Sequence, residues 1–264
     1  MSGIASLRRG HVQPILSAAS RLIQLVNRGF SKKIVAPSSQ GRPSLKEIYN
    51  DIEPASIDRW DAYIDIYERL FADLRREALQ VLEIGVLRGG SLVMWSRYFH
   101  RDSTIVGLDN NPRCKVPKVA NIHVEIGDQA DRTLLEKIKA KYKYFDIVID
   151  DGGHFWRQQT ASFESLYDCT RRLYVVEDIH TSYWMKYGGA NMRPFVELAK
   201  QKIDLLHDYF IAAGSPDKFG CDDRPVWEVS DFRKNTQSIE FFDSMVVFKK
   251  GHNPAPYRAR RLSI

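Results

Sequence analysis

The sequence predicts an α/β fold: a mostly parallel, seven-stranded sheet with helices on both faces and an antiparallel strand pair closing one edge. Three observations carry that expectation. Short apolar runs of strand length alternate with longer stretches of helical periodicity. The run Phe145, Ile147, Val148, Ile149 stops abruptly in Asp150-Asp151-Gly152-Gly153-His154, polar chemistry at the carboxyl end of a strand, where open α/β sheets keep their sites. The last two apolar runs, Ser238–Phe241 and Ser244–Lys249, read as the closing antiparallel pair.

In order along the chain, Pro37 to Pro43 is linker-like, and helical pattern begins at Ser44. Between Ser56 and Leu74, Trp60, Tyr63, Ile66, Tyr67, Leu70, Phe71 and Leu74 recur at three- and four-residue spacing, the apolar face of a long helix. Strands are expected at Leu79–Gly85, Thr104–Asp109, Ile122–Ile126, 144–150 and Leu173–Asp178. Helices are expected at Ser91–Phe99, Arg132–Ala140, Phe155–Tyr167 and Met192–Tyr209, with an irregular loop over Gly214–Pro225. The organisation is thus a basic arm and linker (1–43), one domain (44–250) and a basic tail (251–264).

Charge is divided unevenly. Residues 1–46 hold eight Lys or Arg and no acid, and residues 249–264 hold five more and again no acid. The 26 basic residues left in the centre face all 33 acids, a charge of −7. An acidic fold does not suit phosphate neutralisation, so no nucleic-acid partner is expected. The arm fits a helix lying on an anionic membrane surface, a solvated or partner-packed helix, or an organelle transit peptide. Arg21 interrupts its apolar run well short of a membrane span. Three cysteines without a CxxC spacing point to a reducing compartment, so the expected location is cytoplasmic, with peripheral membrane contact through the arm.

The first strand runs into Glu83-Ile84-Gly85-Val86-Leu87-Arg88-Gly89-Gly90-Ser91. Leu87 stands where a dinucleotide fingerprint needs its second glycine, which counts against a bound pyrophosphate. Asp109 ends the second strand 24 residues after Gly85, the place of a carboxylate that grips a ribose. Glu83 beside the turn suits a cationic ligand better than a phosphate.

The ordered set LEIGVLRGGS, LDNNP, GDQAD, IDDGGH and VVEDIHTSYW resembles the class I S-adenosylmethionine-dependent methyltransferases. More narrowly, it is similar to the metal-dependent sugar O-methyltransferases of macrolide, aminocoumarin and rhamnosyl pathways, from about Trp60 to DSMVVFKK. The resemblance implies a Rossmann-like methyltransferase fold, S-adenosylmethionine and Mg²⁺ as cofactors, a glycoside or surface glycan as substrate, and a homo-oligomer. It implies that Glu83, Gly85 and Ser91 line the methionine end of the cofactor, Asp109 takes the ribose, and Asp128 with Gln129 takes the adenine.

A sugar hydroxyl stays protonated far above neutral pH, so methyl transfer to it needs help in losing the proton. A hard divalent cation on carboxylates supplies that help. Asp151, Glu177 and Asp178 would bring three carboxylates to adjacent strand tips, a costly cluster unless a cation joins it. His154 is the expected general base, with Asp151 as its rival. Thr181, Ser182 and Tyr183 would order the metal loop or touch the sugar, while Trp60 and Tyr63 would cover the cofactor or pack in the core. Three other functions suit parts of the same sequence: a methyltransferase for catechol-like acceptors, a nucleotide-sugar oxidoreductase on the same fold, and a catalytically silent binding protein whose basic tails hold it to membrane or acidic partners.

Overall fold

Alternation within each strand decides which face of the sheet a side chain joins, and the chain uses both faces. The computed structural model describes residues 41–53, 56–115, 117–188, 194–214 and 228–256. The arm before residue 41, most of the loop expected over Gly214–Pro225 and the end of the tail lie outside them. By internal contacts the chain divides into Met1–Arg42 and Pro43–Ile264, and the second unit holds everything below.

Two helices, α1 (Leu45–Asp51) and α2 (Asp61–Phe71), precede the sheet. Ser44 starts α1 through a capping box: its hydroxyl accepts from Glu47 N while the Glu47 carboxylate accepts from Ser44 N. Seven strands follow: β1 (Gln80–Ile84), β2 (Thr104–Asp109), β3 (Ile122–Ile126), β4 (Phe145–Asp150), β5 (Thr170–Val176), β6 (Thr236–Phe242) and β7 (Met245–Lys250). They lie in the order β3-β2-β1-β4-β5-β7-β6, parallel throughout except that β7 runs antiparallel to both neighbours. Helices α3 (Gly90–Tyr98), α4 (Arg132–Tyr142), α5 (Trp156–Leu166), α6 (Phe195–Leu206), α7 (Asp208–Ala213) and α8 (Asp231–Asn235) complete the fold. None of the described helices is long and apolar enough to cross a membrane.

Two apolar layers flank the sheet. On one face Val81, Ile147, Ile149, Leu173 and Val175 meet Tyr67 and Phe71 of α2 and Trp95 of α3. On the other, Leu82, Ile84, Val148, Tyr174 and Val176 meet Phe163 of α5 and Phe195 of α6. Each such side chain, when fully buried, contributes about 1.5–3 kcal/mol, which makes the central strands the most firmly held part of the molecule.

Three expected elements differ. The helix expected from Ser56 starts only at Asp61, because Ser56 and Arg59 are drawn into tertiary contacts: Ser56 O accepts from Gly90 N, and Arg59 reaches the strand tips. The strand expected to end at Asp178 stops at Val176, and Asp178 itself takes a left-handed backbone. The helix expected to reach Tyr209 breaks at His207, whose N–H is satisfied by Asp204 O and Leu205 O, and α7 restarts at Asp208.

Candidate active site

The sheet reverses its order between β1 and β4, and a cavity opens beyond the carboxyl ends of the strands there, at the switch point of the topology. Register brings three tips level: Ile84 pairs with Asp150, and Asp150 with Val176, so the residues that follow (Gly85, Asp151 and Glu177) stand side by side. Backbone bonds extend the ladder past the strands, Asp151 N to Ile84 O at 3.0 Å and Glu177 N to Asp150 O at 2.9 Å.

Alternation then separates the paired acids. Glu83, Asp151 and Glu177 turn to the face covered by α2 and α3. Asp150 turns to the opposite face, where Gln129 Nε2 donates to it at 2.9 Å and the Ser162 hydroxyl also donates. Asp150 is fully buried; burial pushes its carboxyl up, and the Ser162 and Gln129 bonds oppose that.

Gly85 is required where β1 leaves the sheet. Its φ is +97°, and a Cβ there would stand 2.1 Å from Asp151 O, so only glycine lets the two strand tips approach. Asp109 pins the following turn, its Oδ2 accepting from Val86 N at 2.8 Å and Leu87 N at 3.0 Å.

The cavity holds about 760 Å³ and is walled by Gly85, Ser91, Asp109, Gln129, Asp151, His154, Glu177 and Asp178 among others. Two of the residues expected at the cofactor stand elsewhere. Glu83 lies fully buried below the wall, its carboxylate taken by Ser91 Oγ, Trp95 Nε1 and Arg59. Asp128 is not part of the wall; its Oδ1 accepts from Ala130 N and Gln158 Nε2. Gln129 reaches the wall, yet its amide is committed to Asp150 and, through Oε1, to Gly153 N at 2.9 Å.

Asp151, His154 and Asp178 converge, each offering one ligand atom with all three atoms within 4.8 Å of one another. His154 Nε2 lies 3.7 Å from Asp178 Oδ2 and 4.0 Å from Asp151 Oδ1. His154 (φ 57°) and Asp178 (φ 52°) both sit in the left-handed region, a cost of about 1–3 kcal/mol each that concentrates at functional sites. Two carboxylate oxygens beside open cavity suit a hard divalent cation that completes its shell with water or substrate, with the imidazole next to it. Glu177 reaches the same wall with Oε1 turned to the Tyr67 hydroxyl and to Arg59.

Titration follows from crowding. Burial pushes Asp151 well above the usual carboxylate range, Glu177 adds to the push, and Arg59 opposes it. Burial pushes Glu177 up to about 7 against the pull of Arg59 and Tyr67. Burial holds His154 below 6.5, with Asp178 opposing, so the imidazole is neutral at neutral pH and able to accept a proton.

Periodicity alone does not identify the supporting residues. Asp178 Oδ1 accepts from Trp60 Nε1 at 3.0 Å and lies 2.9 Å from the Tyr63 hydroxyl, so two side chains expected in a cover or a core instead aim a candidate ligand. The Thr181 hydroxyl donates to Asp178 O at 2.7 Å and closes the loop behind it. Arg59 is the residue sequence reasoning missed. Its one signal is position, immediately before a helix whose buried face meets a strand ending in a buried acid.

Comparison with known proteins agrees with the fold. Demethylmacrocin O-methyltransferase of Streptomyces fradiae is 33% identical over 189 residues, 68% of this chain and 45% of that protein. The 8-demethyl-8-alpha-L-rhamnosyl tetracenomycin-C 2'-O-methyltransferase of Streptomyces olivaceus is 37% identical over 177 residues, 60% of this chain and 46% of that one. The chain thus spans about half the length of the curated relatives it matches. Among solved structures, the MycE methyltransferase of the mycinamycin biosynthetic pathway, in complex with Mg and SAH, superposes with a TM-score of 0.67 at 30% identity, covering 80% of this chain and 55% of that one. No protein-family model matches. The chain has the fold of the class I S-adenosylmethionine-dependent methyltransferases, and its sequence sets it beside the sugar O-methyltransferases of macrolide and tetracenomycin pathways.

Proposed function

We propose that this protein transfers a methyl group from S-adenosylmethionine to a hydroxyl on the sugar of a glycosylated natural product, with Mg²⁺ as its metal. The convergence of Asp151, His154 and Asp178 in one cavity at the switch point of the sheet carries the proposal. The related enzymes act on glycosides by name, and one solved MycE complex contains Mg, SAH and mycinamycin VI.

Asp151 and Asp178 would hold the metal, with Glu177 beside them. A divalent cation there supplies the Lewis acid that lowers the pKa of a bound hydroxyl. His154, neutral and within 4.0 Å of both aspartates, takes the hydroxyl proton on its ring nitrogen. Trp60 and Tyr63 keep Asp178 in place, and Gly85 keeps Asp151 level with the end of β1. Asp109 at the tip of β2, whose Oδ2 accepts from Val86 N and Leu87 N and whose Oδ1 accepts from Asn111 N, would meet a ribose hydroxyl with the capacity left on Oδ1. A metal and a neutral base poised together fit an aliphatic hydroxyl, which needs far more help to lose its proton than the more acidic phenolic hydroxyl of a catechol.

The test is calorimetry with S-adenosylmethionine, then with Mg²⁺, in wild type and Asp151→Ala, followed by methyl-donor consumption with a panel of glycosides. Cofactor heat, a Mg²⁺ heat lost in the variant, and turnover with a glycoside are expected. Absence of any cofactor heat would overturn the assignment and leave a binding protein on the same fold.

A further inference from the structure

Arg59 enters the site from the segment before α2 and meets the carboxylates of three different strand tips. Its Nη2 lies 2.8 Å from Glu83 Oε1, 2.9 Å from Asp151 Oδ2 and 3.0 Å from Glu177 Oε1, with the side chain 1% exposed. The guanidinium also rests over the rings of Tyr67 and Trp95, at 5.3 and 5.5 Å. One nitrogen with two protons cannot serve three carboxylates with full bonds. Meanwhile Nε and Nη1, equally buried, have no hydrogen-bond partner. A buried cation that leaves three of its five N–H groups unmade does not have the geometry of an optimised structural ion pair.

Charge explains why it is there. Glu83, Asp151, Glu177 and Asp178 crowd the strand tips, and Arg59 is the one cation in ion-pair contact with the first three of them among the described residues. With all four carboxylates ionised, one guanidinium leaves three negative charges. A divalent cation supplies two positive charges, and S-adenosylmethionine, with its sulfonium, ammonium and carboxylate, supplies a net one. The two ligands together would balance the fully ionised site. A divalent cation must also take Asp151, whose Oδ1 faces His154 while its Oδ2 is paired with Arg59, so the two cations meet on one carboxylate.

We propose that Arg59 is a positioning residue that acts as the resident counter-ion of the metal site, releasing Asp151 when a divalent cation binds and setting the affinity for that cation. The inference rests on the metal-dependent methyltransferase assignment and adds to it a residue that competes with the metal. Removing the guanidinium takes away the positive charge that competes with a cation for the ionised carboxylates, so the metal binds more tightly. Asp109, proposed for the cofactor's ribose, is bonded by Val86 N, Leu87 N and Asn111 N and not by Arg59.

The experiment is titration calorimetry with Mg²⁺ alone, and separately with S-adenosylhomocysteine, on wild type, Arg59→Met and Arg59→Lys. Arg59→Met is expected to bind Mg²⁺ at least tenfold more tightly, Arg59→Lys to stay close to wild type, and all three to bind S-adenosylhomocysteine. A second measurement follows the ¹⁵Nε–H resonance of Arg59 in the wild-type protein, assigned by its loss in Arg59→Lys; it should shift on saturation with Mg²⁺. Mg²⁺ affinity in Arg59→Met equal to or weaker than wild type, or a resonance unmoved by saturating Mg²⁺, overturns the inference while leaving the enzyme assignment intact. If Arg59→Met does not fold even in excess Mg²⁺, the resonance decides alone. Absence of Mg²⁺ heat in every protein overturns both.

Discussion

Gly85→Ala tests whether the close approach of two strand tips is what places Asp151. The new Cβ would stand 2.1 Å from Asp151 O and 2.9 Å from its carbonyl carbon, both backbone atoms that cannot swing away. Real Cβ atoms keep beyond 3.0 Å, so the tip of β4 must retreat by roughly 1 Å. The backbone adds its own cost, since φ at Gly85 is +97°, where an L-residue is strained by about 1–3 kcal/mol. With local overpacking included, the expected loss of stability is about 2–4 kcal/mol. The functional loss should exceed what that destabilisation explains. A displacement of about 1 Å at a reacting centre costs on the order of a hundredfold in rate, and disturbing the support of a metal ligand costs about 10–100-fold in metal affinity. Urea denaturation gives the first quantity, and Mg²⁺ calorimetry with glycoside methylation gives the second. Gly214→Ala is the control: φ there is +65° with nothing within 4 Å, so it carries backbone strain without a clash. It should cost about 1 kcal/mol and leave Mg²⁺ binding unchanged. If Gly85→Ala binds Mg²⁺ as wild type does and loses no more stability than the control, Asp151 does not owe its position to this approach.

His154→Gln should lower the methylation rate about 10²–10⁴-fold with Mg²⁺ affinity preserved, because the imidazole is assigned the proton. The wild-type rate should climb with pH along a limb below 6.5, where His154 loses its proton, and the variant should lack that limb; a fall in Mg²⁺ affinity instead would make the imidazole a ligand. Glu177 has a folded pKa of about 7 above an unfolded value of 4.5, so between those values the folded state binds more protons and stability is lost as pH rises. His154, held low, works in the opposite sense below 6.5, so the informative quantity is the difference from Glu177→Gln. That variant should gain stability relative to wild type between pH 5 and pH 8 in metal-free urea melts; a flat difference would refute the shift. Gln129→Ala should cost about 2–3 kcal/mol, since it strips a donor from buried Asp150 and an acceptor from Gly153 N. Finding S-adenosylhomocysteine affinity abolished at unchanged stability would return Gln129 to the adenine.

The strands were legible because their signal is local. Apolar runs of five to seven residues that stop at or next to Gly, Asp or Glu located the five parallel strands, and the runs Ser238–Phe241 and Ser244–Lys249 located the closing pair, to within a few residues. The residues that support the site were much less legible. Trp60, Tyr63 and Tyr67 recur at helical spacing, which predicts a buried face and says nothing about the polar atom at the end of each ring. In the folded protein those atoms meet Asp178 and Glu177, 110 residues or more downstream. Arg59 was invisible for a related reason. A lone arginine before a helix looks like a solvated charge until the sheet sets Glu83, Asp151 and Glu177 side by side. Glu83 and Asp128 show the opposite limit: motif position suggests cofactor contact, while in the fold both Glu83 oxygens are taken by Ser91, Trp95 and Arg59, and Asp128 Oδ1 accepts from Ala130 and Gln158.

The adjacent acids Asp150 and Asp151 show how one short sequence produces both structure and chemistry. Successive strand residues face opposite sides, so two carboxylates that are neighbours in sequence enter different environments. Asp150 finds Gln129 and Ser162, and so is held by neutral donors that also fix the turn through Gly153. Asp151 finds Glu177 and Glu83, repulsion that only a cation relieves, and Arg59 is the cation the chain itself supplies. Exchanging the two environments would require slipping β4 by one residue, which would turn Ile147, Val148 and Ile149 out of their apolar layers as well. The burial of those three side chains therefore fixes the register, and the register decides which aspartate is left to meet a metal.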